Sequence, residues 1–174
     1  MTFRLVRRGG EYFRVADPSW DSPLDGSHAL RAGGRWNPPN SFPVVYLNAD
    51  VSTARANVAL RFEGRPFSPE DLDPGEAPVL VSTQVGANDF VDIVTDRGCL
   101  AAGLPATYRR ERGRRIPHSR CRPIGQRAWD EGHPGIACRS AARSAPGGSE
   151  ELAWFQRERL LAATAVSPFE SWFW

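Results

Sequence analysis

The segment of residues 31–48, RAGGRWNPPNSFPVVYLN, most constrains how this chain can fold. Its adjacent glycines, Gly33 and Gly34, permit positive φ angles and a close approach of the backbone to a ligand. The prolines that follow Arg35 and Trp36 restrict the backbone before a run of apolar residues begins. This pattern predicts a stiff, arginine-bearing loop that leads into a core strand over residues 42–47.

Arginines held in such a loop suit a phosphate ligand. A guanidinium group is a planar fork that binds phosphate oxygens two at a time, and the indole of Trp36 offers a face for a ring. The alternative for the same residues is a tight surface turn with solvated arginines.

Length and composition indicate one soluble domain. The chain has 174 residues, which fits a single domain. It lacks the run of about 18 apolar residues that a membrane helix needs, and its first residues lack the apolar core of a signal peptide. We therefore expect a cytoplasmic protein without a membrane-spanning segment.

The basic residues also limit the chemistry. Every one of them is arginine, so lysine Schiff-base catalysis is excluded. Residues 108–127 carry eight arginines but no repeated aromatic residues. Because the sequence pI of 8.6 is below the value of about 9 typical of nucleic-acid-binding domains, we do not favour nucleic acid as a partner.

Cysteine and histidine spacing gives no sign of a metal site. Cys99, Cys121 and Cys138 are an odd number without a CxxC pair, and the histidines are scattered. His118 lies three residues before Cys121, which is too little for a metal site. We predict reduced thiols and no bound metal.

The periodicity of the chain predicts a single α+β domain over residues 1–174, with a mixed β-sheet core flanked by short helices. Asp50 or Ser52 would cap a helix that ends at Phe62. An aromatic tail, residues 164–174, should pack on the body of the domain. Strands are predicted at residues 3–6, 12–15, 78–85, 90–94, 135–138 and 150–155, and a further helix at 124–132.

Taken together, the GGRWNPP loop, the VVYL strand, the helix after it and the late GIACRSAAR and ELAWF segments resemble the RES-domain family. The resemblance extends over residues 4–155. Members of that family include toxins of toxin–antitoxin pairs, resemble ADP-ribosyltransferases in fold and degrade NAD, some of them by phosphorolysis. The resemblance implies NAD as the substrate, inorganic phosphate as a candidate co-substrate, no other cofactor, and a cognate antitoxin as the protein partner.

The resemblance also implies site residues. An arginine near the start of the family sequence corresponds to Arg4, its strand tyrosine to Tyr46 and its late serine to Ser140. Each has a structural alternative: Arg4 would form a salt bridge across the sheet, Tyr46 would be core, and Ser140 would cap a turn. The implied NAD-binding set is Arg4, Arg35, Trp36, Tyr46, Ser140 and Arg143. A phosphate co-substrate would need a further arginine, from Arg139, Arg143 or residues 108–122.

Two positions depart from the family pattern. Asn57 stands where the family has a glutamate on the helix, and Glu151 stands where it has an asparagine before the strand phenylalanine. If the helix and the strand face each other, Glu151 would supply the carboxylate and Asn57 the amide. The predicted catalytic set is therefore Arg35, Glu151, Asn57 and Ser140.

The exchange has alternatives. Glu151 would otherwise be a surface residue, and the protein a catalytically silent nucleotide-binding module. An ADP-ribosyltransferase that modifies a macromolecule is a further reading of the same pocket.

Overall fold

The computed structural model describes residues 2–140, 142 and 148–174, which form a mixed α+β unit. Among these residues, no helix is long and apolar enough to cross a membrane. The helices are α1 (Ser27–Ala32), α2 (Val51–Phe62), α3 (Asp96–Ala101), α4 (His118–Asp130) and α5 (Phe169–Trp172), with a single 3₁₀ turn at Pro69–Asp71. The strands are β1 (Leu5–Ala16), β2 (Val44–Asn48), β3 (Val79–Ile93), β4 (Arg110–Glu111), β5 (Arg114–Arg115), β6 (Gly135–Arg139), β7 (Glu150–Phe155) and β8 (Ala163–Ser167).

The main sheet closes on itself. Its strand order is β1-β2-β7-β6-β3-β8, and β3 also pairs with β1 along the length of both strands. Strands β1, β2, β7, β6 and β3 therefore form a ring, which we call the strand ring. The joint between β1 and β2 is narrow, with Phe13 opposite Asn48.

One hydrophobic cluster fills the strand ring. Each of the five strands contributes a buried side chain to it, for example Tyr12, Val45, Val81, Ala137 and Leu152. Because side chains alternate along a strand, the intervening residues point outward. These outward side chains form the two other large clusters, one under α4 and one under α2 and α5.

Helix α2 begins as the sequence predicts. The Asp50 carboxylate accepts a hydrogen bond from the backbone N–H of Thr53 at 2.7 Å and so caps the helix. Ala54 and Val58 are buried against Val15 of β1. The cap and the apolar face together fix which side of α2 points toward the strand ring.

Helix α4 starts six residues earlier than predicted and continues through Pro123. Its buried face, Cys121, Gly125 and Ala128, has helical spacing, and packing of this face outweighs the local effect of the proline. At Gly125 a Cβ atom would overlap the backbone carbonyl of Trp36. The missing side chain thus lets α4 pack closely against the loop of residues 31–41, which we call the arginine loop.

Other boundaries also differ from the sequence predictions. Residues 3–6 and 12–15 belong to one long strand, β1, with an irregularity between Arg8 and Gly10. Residues 78–85 and 90–94 likewise join in β3. Strand β8 was not predicted because its residues are mostly exposed and carry no apolar alternation. In the aromatic tail, Phe169 and Trp172 are buried in the cluster that also contains Val15, Ala54 and Val58.

Candidate functional site

A cleft of about 570 Å³ opens near the joint between β1 and β2. Its walls come from the arginine loop, from α2 and from the start of α4, and its lining includes residues of β2 and β7. Another depression of about 530 Å³ lies beside Phe67, and Arg65 is the single arginine among its described lining residues. The first cleft has the polar side chains that a binding site needs.

Tyr46 anchors the arginine loop to the cleft floor. Its hydroxyl accepts a hydrogen bond from the backbone N–H of Trp36 at 2.9 Å and donates one to Asn37 Oδ1 at 2.8 Å. The Asn37 amide in turn donates to the backbone carbonyl of Ala29 at 2.6 Å. Gly34 lies so close to the Tyr46 ring that a Cβ atom would overlap it. The loop is therefore ordered before any ligand binds.

Burial also affects the chemistry of Tyr46. Removal from water raises the pKa of its hydroxyl group well above the usual value, so the phenol stays protonated. The Tyr46 hydroxyl therefore keeps its hydrogen at physiological pH and donates a hydrogen bond to Asn37 Oδ1. Its role in this structure is to hold the loop, while part of its surface lines the cleft.

Among the described residues, four arginines line the cleft: Arg14, Arg35, Arg61 and Arg115. Arg14, on β1, is 6% exposed and donates through Nη1 to the backbone carbonyl of Asp25 at 3.1 Å. Burial lowers the pKa of Arg14 to about 10, although the Asp25 carboxylate acts in the opposite direction. Arg14 is still charged at neutral pH. Its guanidinium group lines the cleft, and burial leaves little water around the guanidinium group.

Arg35 reaches the cleft from the loop and donates through Nη1 to the carbonyl of Ile116 at 3.3 Å. Arg115 and His118 line the cleft beside it, from β5 and the first residue of α4. Burial lowers the pKa of His118, and so do the nearby guanidinium groups of Arg35, Arg122 and Arg115. This part of the cleft is strongly cationic and suits phosphate groups.

Glu151 is the only carboxylate among the described residues that line the cleft. Asn57 Nδ2 donates to Glu151 Oε1 at 2.8 Å and to Asn48 Oδ1 at 2.8 Å. Asn48 Nδ2 donates to the backbone carbonyl of Phe13 at 3.1 Å, which fixes the orientation of the Asn48 amide. The Asn48 amide then dictates that Asn57 presents its NH₂ group, rather than its oxygen, to the carboxylate.

The structure thus brings Arg35, Tyr46, Asn57 and Glu151 together in one cleft. Asn57 and Glu151 are hydrogen-bonded neighbours in the cleft lining, because β7 pairs with β2 and places Glu151 opposite Asn48, which also contacts Asn57.

Arg4 requires a correction. It is exposed, precedes β1, and does not line the cleft. Arg14 lies ten residues after Arg4 in an extended segment, which is about 33 Å at the usual rise per residue of a strand. Arg14 therefore occupies the place in the cleft that the sequence analysis gave to Arg4.

Trp36 and Ser140 are also placed differently from the prediction. The Trp36 ring is 1% exposed and packs with Tyr108 at a centroid distance of 5.9 Å, so it cannot stack on a ligand. Ser140 is buried outside the cleft lining, and its hydroxyl accepts a 3.3 Å hydrogen bond from the N–H of Ala142. Both side chains stabilise the fold in this structure.

The arginines that the sequence offers as ligands for a phosphate co-substrate differ in where they lie. The Arg139 guanidinium donates hydrogen bonds to the carbonyls of Val94 and Ala106 and to the Asp96 carboxylate, so it stabilises the fold. Arg143 lies outside the described residues. Within the segment of residues 108–122, Arg115 is the arginine that reaches the cleft.

Several cleft residues were missed in the sequence. The dipeptide Phe-Arg occurs twice, at residues 3–4 and 13–14, and the second copy carries the arginine that lines the cleft. Asn48 follows the predicted strand directly, and polar residues at strand ends often serve sites. Trp20, His28, Arg61 and His118 lie in segments without a local signal and converge only through the tertiary fold.

Comparisons with known proteins identify the family and the fold of the chain. The model of the RES domain matches residues 11–173, a span that excludes Arg4 and includes Arg14. No curated protein matches the chain. The fold is similar to one in the crystal structure of the M. tuberculosis MbcT–MbcA toxin–antitoxin complex, with a TM-score of 0.76 and 21% identity over 97% of this chain and 91% of that chain. Because the family match covers nearly its whole length, the chain belongs to the RES domain family.

Proposed function

We propose that this protein consumes NAD by cleaving the bond between nicotinamide and ribose. The observation that carries the proposal is a cleft with four arginines and, among its described residues, a single carboxylate, Glu151. The arginines suit the pyrophosphate of a dinucleotide, and the carboxylate suits the charge that develops when the glycosidic bond breaks.

The arginine loop would hold the pyrophosphate. Gly33 and Gly34 line the cleft, so the backbone can approach phosphate oxygens closely. Arg35 is anchored by Ile116 and needs little reorganisation to bind. Because Tyr46 fixes the loop in advance, less entropy is lost on binding.

Glu151 would stabilise the transition state. When the bond breaks, its electron pair leaves with nicotinamide, which becomes a neutral pyridine, and the ribose C1′ gains oxocarbenium character. The Glu151 carboxylate stabilises that positive charge or holds the ribose hydroxyls, and the Asn57 amide keeps the carboxylate in position. Asn57 itself is neutral and cannot replace the charge.

The acceptor completes the reaction. With phosphate, an oxygen of the phosphate bonds to C1′ and gives ADP-ribose 1″-phosphate. With water, the products are ADP-ribose, nicotinamide and a proton. Arg115 and His118 beside Arg35 support phosphate as an acceptor, because they add a guanidinium group and an imidazole hydrogen-bond donor to the groups that the pyrophosphate requires.

We propose that the protein acts as the toxin of a toxin–antitoxin pair. Its family membership and its similarity in fold to a chain of the MbcT–MbcA complex support this role. Depletion of NAD would be the toxic event, and a cognate antitoxin would neutralise it.

The test is incubation of the purified protein with NAD, with and without inorganic phosphate, followed by separation of the products. Free nicotinamide with ADP-ribose 1″-phosphate indicates phosphorolysis, and nicotinamide with ADP-ribose indicates hydrolysis. A Glu158→Gln variant, altered at an exposed carboxylate, should behave as the wild type. Unchanged NAD under both conditions would contradict the proposal.

A second candidate is a nucleotide-binding module without activity, because the helix position carries Asn57 in place of a carboxylate. It predicts binding of NAD without release of nicotinamide. Transfer to a macromolecule would appear in the same experiment as radiolabel from adenine-labelled NAD that stays attached to protein.

A further inference from the structure

Two aromatic side chains form a pair on the cleft wall. Trp20, in the loop after β1, and His28, in α1, have ring centroids 5.2 Å apart and planes inclined by 32°. Trp20 is half-buried, whereas His28 is exposed, and both line the cleft. Two other aromatic side chains are in the described lining, but Gly34 covers the ring of Tyr46, and the His118 imidazole lies among the guanidinium groups of Arg35, Arg115 and Arg122. The pair is therefore the ring surface that the cleft offers to a ligand.

The start of α1, the helix that carries His28, lies at the Val44 end of β2, whereas Glu151 lies at the Asn48 end. Gly26, two residues before His28, packs on Val44 so closely that a Cβ atom would lie 2.8 Å from the Val44 nitrogen. Glu151 is instead opposite Asn48. The four residue-to-residue steps from Val44 to Asn48 span about 13 Å at about 3.3 Å per step. Such a separation suits a dinucleotide, whose bases are joined by two riboses and a pyrophosphate.

Charge decides which base goes to which end. The nicotinamide ring of NAD⁺ is cationic, whereas adenine is neutral. The Arg14 guanidinium lies 5.3 Å from the centroid of the Trp20 ring and repels a cationic ring there, but it is compatible with a neutral π face. Glu151 attracts the cationic ring at the other end. These two effects give the same orientation.

We propose that the Trp20–His28 pair is the adenine subsite, in which the purine stacks on the exposed imidazole of His28 with Trp20 as its support. The identity of the ligand rests on the proposed NAD reaction. Stacking on this pair sets the direction of the dinucleotide and delivers the nicotinamide–ribose bond to Glu151.

The test compares two half-ligands by isothermal titration calorimetry. ADP-ribose carries adenine and the pyrophosphate, whereas nicotinamide mononucleotide carries the other base. His28→Ala and Trp20→Ala should each weaken ADP-ribose binding by about ten-fold, an effect typical of the loss of a base-stacking ring, and should change binding of nicotinamide mononucleotide by less than about two-fold. His28→Tyr, which keeps a ring, should retain ADP-ribose affinity.

Trp174→Ala, altered at an exposed aromatic residue outside the cleft, is the matched control and should bind as the wild type. Unchanged ADP-ribose binding in His28→Ala, or an equal loss for both half-ligands, would overturn the subsite. His28 is exposed, so this variant stays informative even if Trp20→Ala fails to fold. NAD cleavage with unchanged ADP-ribose affinity in His28→Ala contradicts the subsite alone. Ring-dependent ADP-ribose binding without cleavage contradicts the proposed reaction alone.

Discussion

The hydroxyl of Tyr46 provides a quantitative test of how the arginine loop is held. Tyr46→Phe removes the acceptor for the N–H of Trp36 and the donor to Asn37 Oδ1. Trp36 is 1% exposed and Asn37 0%, so both groups would remain buried without a partner. Each such group costs about 1–3 kcal/mol. Because the cleft admits some water beside Tyr46, the two costs should lie below their maximum. We therefore expect Tyr46→Phe to lower the free energy of unfolding by about 3 kcal/mol in total.

For a domain of this size, 1 kcal/mol changes the melting temperature by about 2–4 °C, so Tyr46→Phe should lower it by roughly 6–12 °C in differential scanning calorimetry. The loosened loop should also weaken ADP-ribose binding, since Arg35 would lose its fixed position. Tyr108→Phe is the matched control. Tyr108 is 1% exposed, and its hydroxyl has no hydrogen-bond partner among the residues that the structure describes.

Removal of the Tyr108 hydroxyl should therefore leave stability unchanged or raise it, because a buried polar group without a partner is itself unfavourable. A Tyr46→Phe protein with the melting temperature and the ADP-ribose affinity of the wild type would refute the anchoring role. An equal loss of stability in both variants would show that hydrogen bonding of the hydroxyl is not the deciding factor.

Further predictions concern the cleft itself. Gly34→Ala places a Cβ atom on the Tyr46 ring, so it should lower the free energy of unfolding by about 1–3 kcal/mol and abolish most ADP-ribose binding. In the control Gly86→Ala, the new Cβ atom meets no atom within 4 Å, so stability and binding should both be unchanged. Arg14→Gln should weaken ADP-ribose binding by more than about ten-fold in calorimetry, since it removes a charge that burial has left with little water. Burial and the nearby guanidinium groups lower the pKa of His118, which favours its neutral imidazole in the empty cleft. A bound pyrophosphate counteracts the arginines and raises that pKa, so binding takes up a proton. ADP-ribose affinity should then increase as the pH falls from about 7.5 to about 6, and His118→Gln should reduce this increase. Finally, the double variant Asn57→Glu/Glu151→Asn should release nicotinamide faster than either single variant, and an additive loss would contradict the exchange of roles.

Sequence reasoning identified the parts of the site that local chemistry determines. The Asp50 cap and the apolar spacing after it locate α2, and the strand before it fixes where Asn57 can lie. The loop residues Gly33, Gly34 and Arg35 also reach the cleft as predicted. These features depend on residues close together in the chain, so they are readable without the fold.

The errors arose where tertiary packing decides. Trp36 follows Arg35 in the loop. Gly125 lets α4 pack against the Trp36 backbone, and the Trp36 ring is buried in a hydrophobic cluster. Arg4 and Arg14 share the same local motif, and only the pairing of Phe13 with Asn48 places the second one at the cleft. His118 belongs to a helix whose start the sequence placed too late. No local pattern distinguishes these alternatives.

The central claim is that the Glu151 carboxylate converts nucleotide binding into bond cleavage. The most direct measurement is the rate of nicotinamide release from NAD by Glu151→Gln, with ADP-ribose affinity measured on the same sample. We predict that the rate falls by about 100-fold or more, the size of effect seen when one group that stabilises transition-state charge is lost, while ADP-ribose affinity stays within about three-fold. A Glu151→Gln protein that releases nicotinamide at the wild-type rate would contradict the claim.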